Sequence, residues 1–172
     1  MATVRTLFDE RQIEARVGEL ARDIAAALPR DVMIVGLLTG SFVFVADLVR
    51  ALDRLGLSPR VSFMRLSSYG TARESSRDVR LIGDVPDVAG RIVLLVDDIV
   101  DTGRTQAFAR DLLLGQGAAR VASCLLLDKP SRREVAVVTD FVGFPIEDLF
   151  VVGYGIDYAE QYRHLPYIGT VD

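Results

Sequence analysis

Apolar residues recur at three- and four-residue steps from Asp9 to Leu28. Ile13, Val17, Leu20, Ile24 and Leu28 mark one face of a helix. Asp9 stands where an N-cap belongs, and Pro29 ends the segment. The pattern then changes. Asp31 to Leu38 (DVMIVGLL) is a continuous apolar run, as expected of a strand buried on both faces of a parallel sheet. Thr39-Gly40-Ser41 breaks the run, and Phe44, Leu48 and Leu52 restore a helical period with Ser41 as its cap. Arg60 to Leu66 alternates as a strand. Ser67 to Asp78 is polar without any period and reads as a long loop, the kind that often carries function in a compact domain. A short strand is expected at Val79 to Ile82, and the clearest one at Arg91 to Val96 (RIVLLV). Thr105 to Leu114 reads as a helix stopped by Gly115 and Gly117. Further strands are expected at Arg120 to Leu127, Glu134 to Thr139 and Phe150 to Val152.

Strands that alternate with helices, several of them apolar on both faces, predict an α/β fold with a parallel sheet. A length of 172 residues without linker, repeat or low-complexity segment predicts one domain. The last 30 or so residues, rich in aromatics and glycine but lacking a long helix, read as a small hood on the sheet.

Charge and cysteine content remove several function classes. The net charge of −4 forces no basic patch, so no nucleic-acid partner is expected. Cys124 is the single cysteine and lies in the apolar run Val121 to Leu127, where it reads as a buried small hydrophobe. One cysteine suits a reducing cytosol, and a cytoplasmic location is expected. The charged start MATVRTLFDERQIEARV has no signal-peptide core, and no apolar stretch is long enough to predict a membrane span. His164, the only histidine, reads as structural or exposed, which leaves zinc and Ser-His-Asp chemistry without residues. Lys129 is the one lysine beside 19 arginines. It follows a buried strand and precedes Pro130, a place where a compact ammonium could serve a single carbonyl oxygen better than a planar guanidinium.

The chemistry concentrates in Val96 to Thr105, VDDIVDTGRT. An apolar strand leads into Asp97 and Asp98, Asp101 follows, and Thr102, Gly103, Arg104 and Thr105 lead into a helix. Ligands of open α/β sheets bind at the carboxyl ends of strands. Small residues before a helix let backbone amides face a phosphate, favoured further by the helix dipole. Phosphate beside three carboxylates calls for a hard cation, and Mg²⁺ takes carboxylate and phosphate oxygens together. Neither a Walker A loop nor a GxGxxG fingerprint occurs.

LLVDDIVDTGRT resembles the motif that binds phosphoribosyl pyrophosphate (PRPP) in type I phosphoribosyltransferases. VGLLTGSFVFVADLVR (Val35 to Arg50), FMRLSSYG (Phe63 to Gly70), LLLDKPSRR (Leu125 to Arg133) and DFVGFPIEDLFVVGYGIDYAEQYRHLPYIG (Asp140 to Gly169) are similar, in order, to segments of bacterial hypoxanthine-guanine phosphoribosyltransferases. The resemblance implies the type I fold, a twisted and mostly parallel sheet flanked by helices, with a hood from about residue 140 to 172 and the N-terminal segment. It implies transfer of ribose 5-phosphate from PRPP to a 6-oxopurine, with pyrophosphate and a nucleotide as products, in a homodimer or homotetramer.

The same resemblance assigns residues. Asp97 and Asp98 would lie near the ribose hydroxyls and the metal-bound PRPP. Asp101 would be the general base at purine N7, and the stretch from Asp101 through Thr102, Gly103 and Arg104 to Thr105 would cradle the 5-phosphate. Leu38, Thr39 and Gly40 would form the pyrophosphate loop, and Arg163 would bind pyrophosphate. Lys129 would contact O6, Phe150 would stack on the purine, and the backbone of Val151 would face its Watson–Crick edge. Asp157 would bind a second Mg²⁺, while Ser68 and Tyr69 would close over the reacting centre. Thr39 departs from the family, which often has Lys or Arg there and often a non-proline cis peptide in the loop. Read without the resemblance, Phe150 would be core and Asp157 a helix N-cap.

Three other readings stay open. A xanthine- or pyrimidine-directed transferase fits the fold but not the DKPSRR and DLFVVGYGIDY segments. An RNA-binding regulator, as in the pyrimidine attenuation proteins, sits poorly with the negative charge and the intact DDxxDTG. A plain nucleotide-binding module would lack turnover.

Overall fold

The computed structural model describes residues 2–69 and 78–172, without the side chains of Ser68, Tyr69 and Asp78. Its centre is a six-stranded sheet in the order β4-β3-β2-β5-β6-β7. The strands are β2 (Met33–Leu38), β3 (Arg60–Tyr69), β4 (Asp78–Ile82), β5 (Ile92–Val100), β6 (Arg120–Asp128) and β7 (Phe141–Pro145). All neighbours run parallel except β3 and β4. A second sheet, β1-β9-β8, is antiparallel. It joins β1 (Val4–Phe8) to β9 (Ile168–Val171) and β8 (Val151–Val152), and so ties the start of the chain to its end.

Helices cover both faces of the larger sheet. Helix α1 (Glu10–Ala27) begins after Asp9, whose carboxylate accepts from Gln12 N while Asp9 N donates to Gln12 Oε1, a full capping box. It packs with α2 (Phe42–Arg54) over Ile34, Leu94, Val96, Ala122 and Cys124. Helix α3 (Arg104–Gly115) covers the other face, where Val35, Val93, Leu95 and Val121 meet Ala109 and Leu113. The central strands β2, β5 and β6 are therefore buried on both sides, which is why they read as unbroken apolar runs. Burial of each large aliphatic side chain stabilises by roughly 1.5–3 kcal/mol, and this double layer supplies most of the core.

Several expectations are corrected. The strand expected to stop at Val96 continues through Asp97 and Asp98 to Val100, held by pairing with β6 (Asp97 with Leu125, Val100 with Asp128). Glu134 to Thr139 forms no strand despite its apolar run. Its start is drawn to the α3 loop by bonds from Glu134 N and Val135 N to Thr102 O. Its end is stopped by Asp140, whose carboxylate takes Ser123 N, so pairing along β6 begins only at Cys124 with Phe141. Ser41 occupies the N-cap position of α2 without capping it, because its hydroxyl donates to Leu37 O at 2.6 Å. Ser67 to Tyr69 continue β3 rather than opening a loop, and Asp78 already belongs to β4. Residues 70–77 and the side chains of Ser68 and Tyr69, on which the closing role falls, lie outside the described structure. Residues 141–145 belong to the large sheet, so the antiparallel C-terminal portion starts at Val151. Cys124 is buried as expected, and burial pushes its thiol far above the usual range.

Candidate active site

Strand alternation divides the acid pair at the carboxyl end of β5. Asp98 turns toward the β2–α2 loop, and a Cβ on Gly40 would lie 2.0 Å from its Oδ2. Asp97 turns toward α3, where Gln106 Nε2 donates to its Oδ2 at 3.0 Å. Asp97 Oδ1 accepts from Asp98 N at 2.9 Å, and Asp98 Oδ1 from Ile99 N at 2.8 Å. Burial raises the Asp97 carboxyl well above the ordinary range, and the adjacent Asp98 adds to the rise. Burial also raises Asp98, against hydrogen bonds and the Arg163 guanidinium, which pull it down. Two neighbouring carboxylates, one buried and one half-buried, are costly to keep charged without a cation.

Gly103 is the N-cap of α3, with φ of +89°. It offers no side-chain cap to the first turn of the helix, a start that suits an anion. Thr102 Oγ1 accepts from Arg104 N at 3.3 Å, and Arg104 pairs with Glu134 at 2.8 Å. A cavity of about 260 Å³ lies here, lined by residues 97–103 together with Thr105 and Gln106.

The β2–α2 loop closes one wall. The peptide bond between Leu38 and Thr39 is cis, as the family resemblance implies, and Thr39 is exposed. Gly155 packs so closely on this loop that a Cβ there would sit 2.6 Å from Gly40 O. Its φ of +95° belongs to the left-handed region that glycine tolerates. Tyr154 anchors the Gly153–Asp157 segment by donating its hydroxyl to Asp47 of α2. Arg163 donates to Gly155 O at 2.7 Å and pairs with Asp157 at 3.2 Å. Asp157 also accepts from Glu160 N at 3.0 Å. It caps a turn, since no helix begins there.

The end of β6 supplies the other wall. Lys129 is 8% exposed, far from the surface lysine its turn position suggests, and its backbone N–H donates to Val100 O. Its Nζ lies 3.7 Å from Asp148. Arg132 Nε donates to Asp101 Oδ1 at 3.1 Å, and Arg133 donates to Asp101 O at 2.9 Å and to Asp128 at 2.5 Å. Asp101 sits at the mouth with its side chain 41% exposed. Phe150 is exposed rather than core, and meets Tyr158 edge to face at 5.1 Å. Val151 is buried and paired with Thr170. His164 is exposed. Gln106, Arg132 and Arg133 were not singled out from the sequence; only the fold brings them to the acids.

Among the described residues, no group of three or more His, Cys, Asp or Glu side chains forms a metal cage. The donor set offers at most a few hard carboxylate oxygens at any point. That fits Mg²⁺ held by one or two carboxylates with substrate phosphates and water, and not a metal enclosed by protein alone.

A mostly parallel sheet with an uncapped helix start and an acid pair at the end of its central strand is the layout of a phosphate-binding α/β protein. The chain belongs to the phosphoribosyl transferase domain family, whose model matches residues 3–159, and within it to the hypoxanthine and hypoxanthine-guanine phosphoribosyltransferases. It is 49% identical over 173 residues to the hypoxanthine phosphoribosyltransferase of Escherichia coli (strain K12), covering 98% of this chain and 96% of the relative. It is 43% identical to the hypoxanthine-guanine phosphoribosyltransferase of Aquifex aeolicus, covering 98% and 95%. The crystal structure of a hypoxanthine-guanine phosphoribosyltransferase from Bacillus anthracis, with a HEPES molecule in its active site, is 38% identical and superposes with a TM-score of 0.91 over 100% of both chains. Among the described residues, no helix is long and apolar enough to cross a membrane.

Proposed function

We propose that this protein transfers the 5-phosphoribosyl group of PRPP to a 6-oxopurine, hypoxanthine or guanine, releasing pyrophosphate in purine salvage. The observation that carries the reading is the convergence just described. The start of α3, buried Asp97, half-buried Asp98 with Gly40 against it, and buried Lys129 with its N–H on Val100 O all meet the carboxyl end of β5. The resemblance to enzymes named for hypoxanthine supports the choice of base.

In the reaction, the bond from the anomeric carbon to pyrophosphate breaks and one to purine N9 forms. The residues from Asp101 to Thr105 bind the 5-phosphate, and Asp97 and Asp98 orient the ribose. Leu38, Thr39, Gly40 and Arg163 receive pyrophosphate. Lys129 donates to O6, Phe150 lies on the purine face, and the Val151 backbone meets its far edge. Asp101 accepts the purine proton at N7. Asp97 and Asp98 would lie beside one Mg²⁺ and Asp157 would hold a second, and the metal would supply charge neutralisation of the pyrophosphate. The antiparallel sheet serves as the hood over the base. The enzyme works in the cytoplasm as a homodimer or homotetramer.

The direct test is steady-state turnover with hypoxanthine, guanine, xanthine and adenine, each with and without Mg²⁺. Turnover of 6-oxopurines that requires PRPP and Mg²⁺ is expected; no turnover with any base would end the reading. Calorimetric melting gives a second check. PRPP with Mg²⁺ at a hundredfold excess over its dissociation constant is expected to stabilise the fold by about 2.7 kcal/mol. EDTA is expected to remove most of that gain.

Lys129→Ala is expected to raise KM for hypoxanthine by about tenfold or more, since a hydrogen bond to a charged donor contributes roughly 1.5–3 kcal/mol. PRPP affinity is expected to change little. Equal losses for both substrates would place Lys129 on the phosphates or in the scaffold.

A further inference from the structure

We infer that Gln106 is the positioning residue that aims Asp97 in PRPP binding, an inference that rests on the function proposed above. Helix α3 presents Gln106, Ala109 and Leu113 as its buried positions. The last two meet the apolar core, whereas Gln106, 5% exposed, carries a polar amide into the same stripe. A buried amide without a partner costs about 1–3 kcal/mol, so its placement there asks for a reason. Its partner is Asp97, the buried acid of the pair, reached at 3.0 Å from Nε2 to Oδ2. With Asp98 N on Oδ1 at 2.9 Å, both oxygens of Asp97 have a fixed donor, and the plane of the carboxylate is set.

The chemistry of the donor matters. Arginine or lysine in this position would neutralise Asp97 and compete with any cation brought by the substrate. A leucine would leave Oδ2 unsatisfied and the carboxylate free to rotate. A neutral amide fixes direction while leaving the charge of Asp97 for the substrate and its cation. Gln106 also lies in the first turn of α3, directly behind the N–H groups that face the 5-phosphate site, and lines the same cavity as Asp97 and Thr105. One side chain therefore links the phosphate end of the cleft to the ribose end.

The test uses the whole enzyme and isothermal calorimetry of PRPP with Mg²⁺ in the absence of base. Gln106→Met keeps length and volume but removes the donor. Its PRPP affinity is expected to fall by about tenfold, the effect of losing a hydrogen bond to a charged group. KM for the purine should stay within about twofold of the parent's, as should the helical signal in circular dichroism. In an Asp97→Asn background the further loss on adding Gln106→Met is expected to shrink to under about twofold, because coupled residues are not additive. If Gln106→Met does not fold, Gln106→Asn, which keeps the amide on a shorter arm, is expected to show the same selective PRPP loss. Unchanged PRPP affinity in a folded variant would overturn the inference. So would an equal loss for purine and PRPP, or a full effect in the Asp97→Asn background. A parent enzyme that neither binds PRPP nor turns over would instead overturn the function on which the inference rests.

Discussion

Asp101→Asn is expected to lower kcat by about 10²–10⁴-fold, the range typical of a lost general base, while PRPP binding largely survives. Bond formation at N9 must leave the product purine neutral, so the proton at N7 needs an acceptor. Asp101 stands beyond the acid pair on the same strand end, separated from it by Ile99 and Val100, at the mouth of the cleft rather than its floor. Among the described residues, Arg132 Nε donates to its Oδ1. Its main chain is held independently by Arg133 on Asp101 O. Asparagine keeps the size and can still accept from Arg132, so the loop has no reason to collapse, but basicity and charge are gone. The measurement is kcat for the variant beside PRPP affinity by calorimetry. A near-normal kcat would end the general-base assignment. Loss of PRPP affinity together with a lowered Tm would make Asp101 a structural member of the loop.

How much of this was legible in the sequence depends on how local each signal is. Helix α1 was legible because its capping box and apolar face lie within one segment. Strands β2, β5 and β6 were legible because burial on both faces leaves little room for polar residues. The acids, Lys129 and the glycine loops could be found because they sit at the ends of those strands. Strands β1 and β9 gave no such signal. They are short, β1 is only partly buried, and their pairing joins opposite ends of the chain. Glu134 to Thr139 shows the opposite failure. Its apolar run is real, but Asp140 occupies the backbone donor that a strand would need. Phe150 looked like core because its neighbours are apolar, yet Leu149, Val151 and Val152 pack inward while Phe150 stays exposed. Gln106 and Arg132 carry no local mark of function, since their partners lie nine and thirty-one residues away and meet them only when the sheet forms.

Gly40→Ala is expected to lower kcat/KM for PRPP by about 10²-fold, because a misplacement of about 1 Å at a reacting centre can cost that much. The added Cβ would lie 2.0 Å from Asp98 Oδ2 and 2.7 Å from Asp98 Cγ. A small rotation of the carboxylate cannot relieve both contacts. Either Asp98 swings away, breaking its bond from Ile99 N, or the Leu38–Gly40 segment lifts. The second route is opposed by Gly155, which rests on Gly40 O, and by Tyr154, which pins that neighbouring segment to Asp47. Both routes separate the pyrophosphate loop from the acid that faces it. The core is untouched, so Tm is expected to fall by only a few degrees, as about 1 kcal/mol would produce in a domain of this size. Gly115→Ala is the matched control, because a Cβ there meets nothing within 4 Å and alanine favours the helix. It is expected to keep parental kcat/KM. Parental activity in Gly40→Ala would show that the approach of Gly40 to Asp98 is not needed for PRPP use. A loss of activity matched by a collapse in Tm would assign the glycine to folding instead.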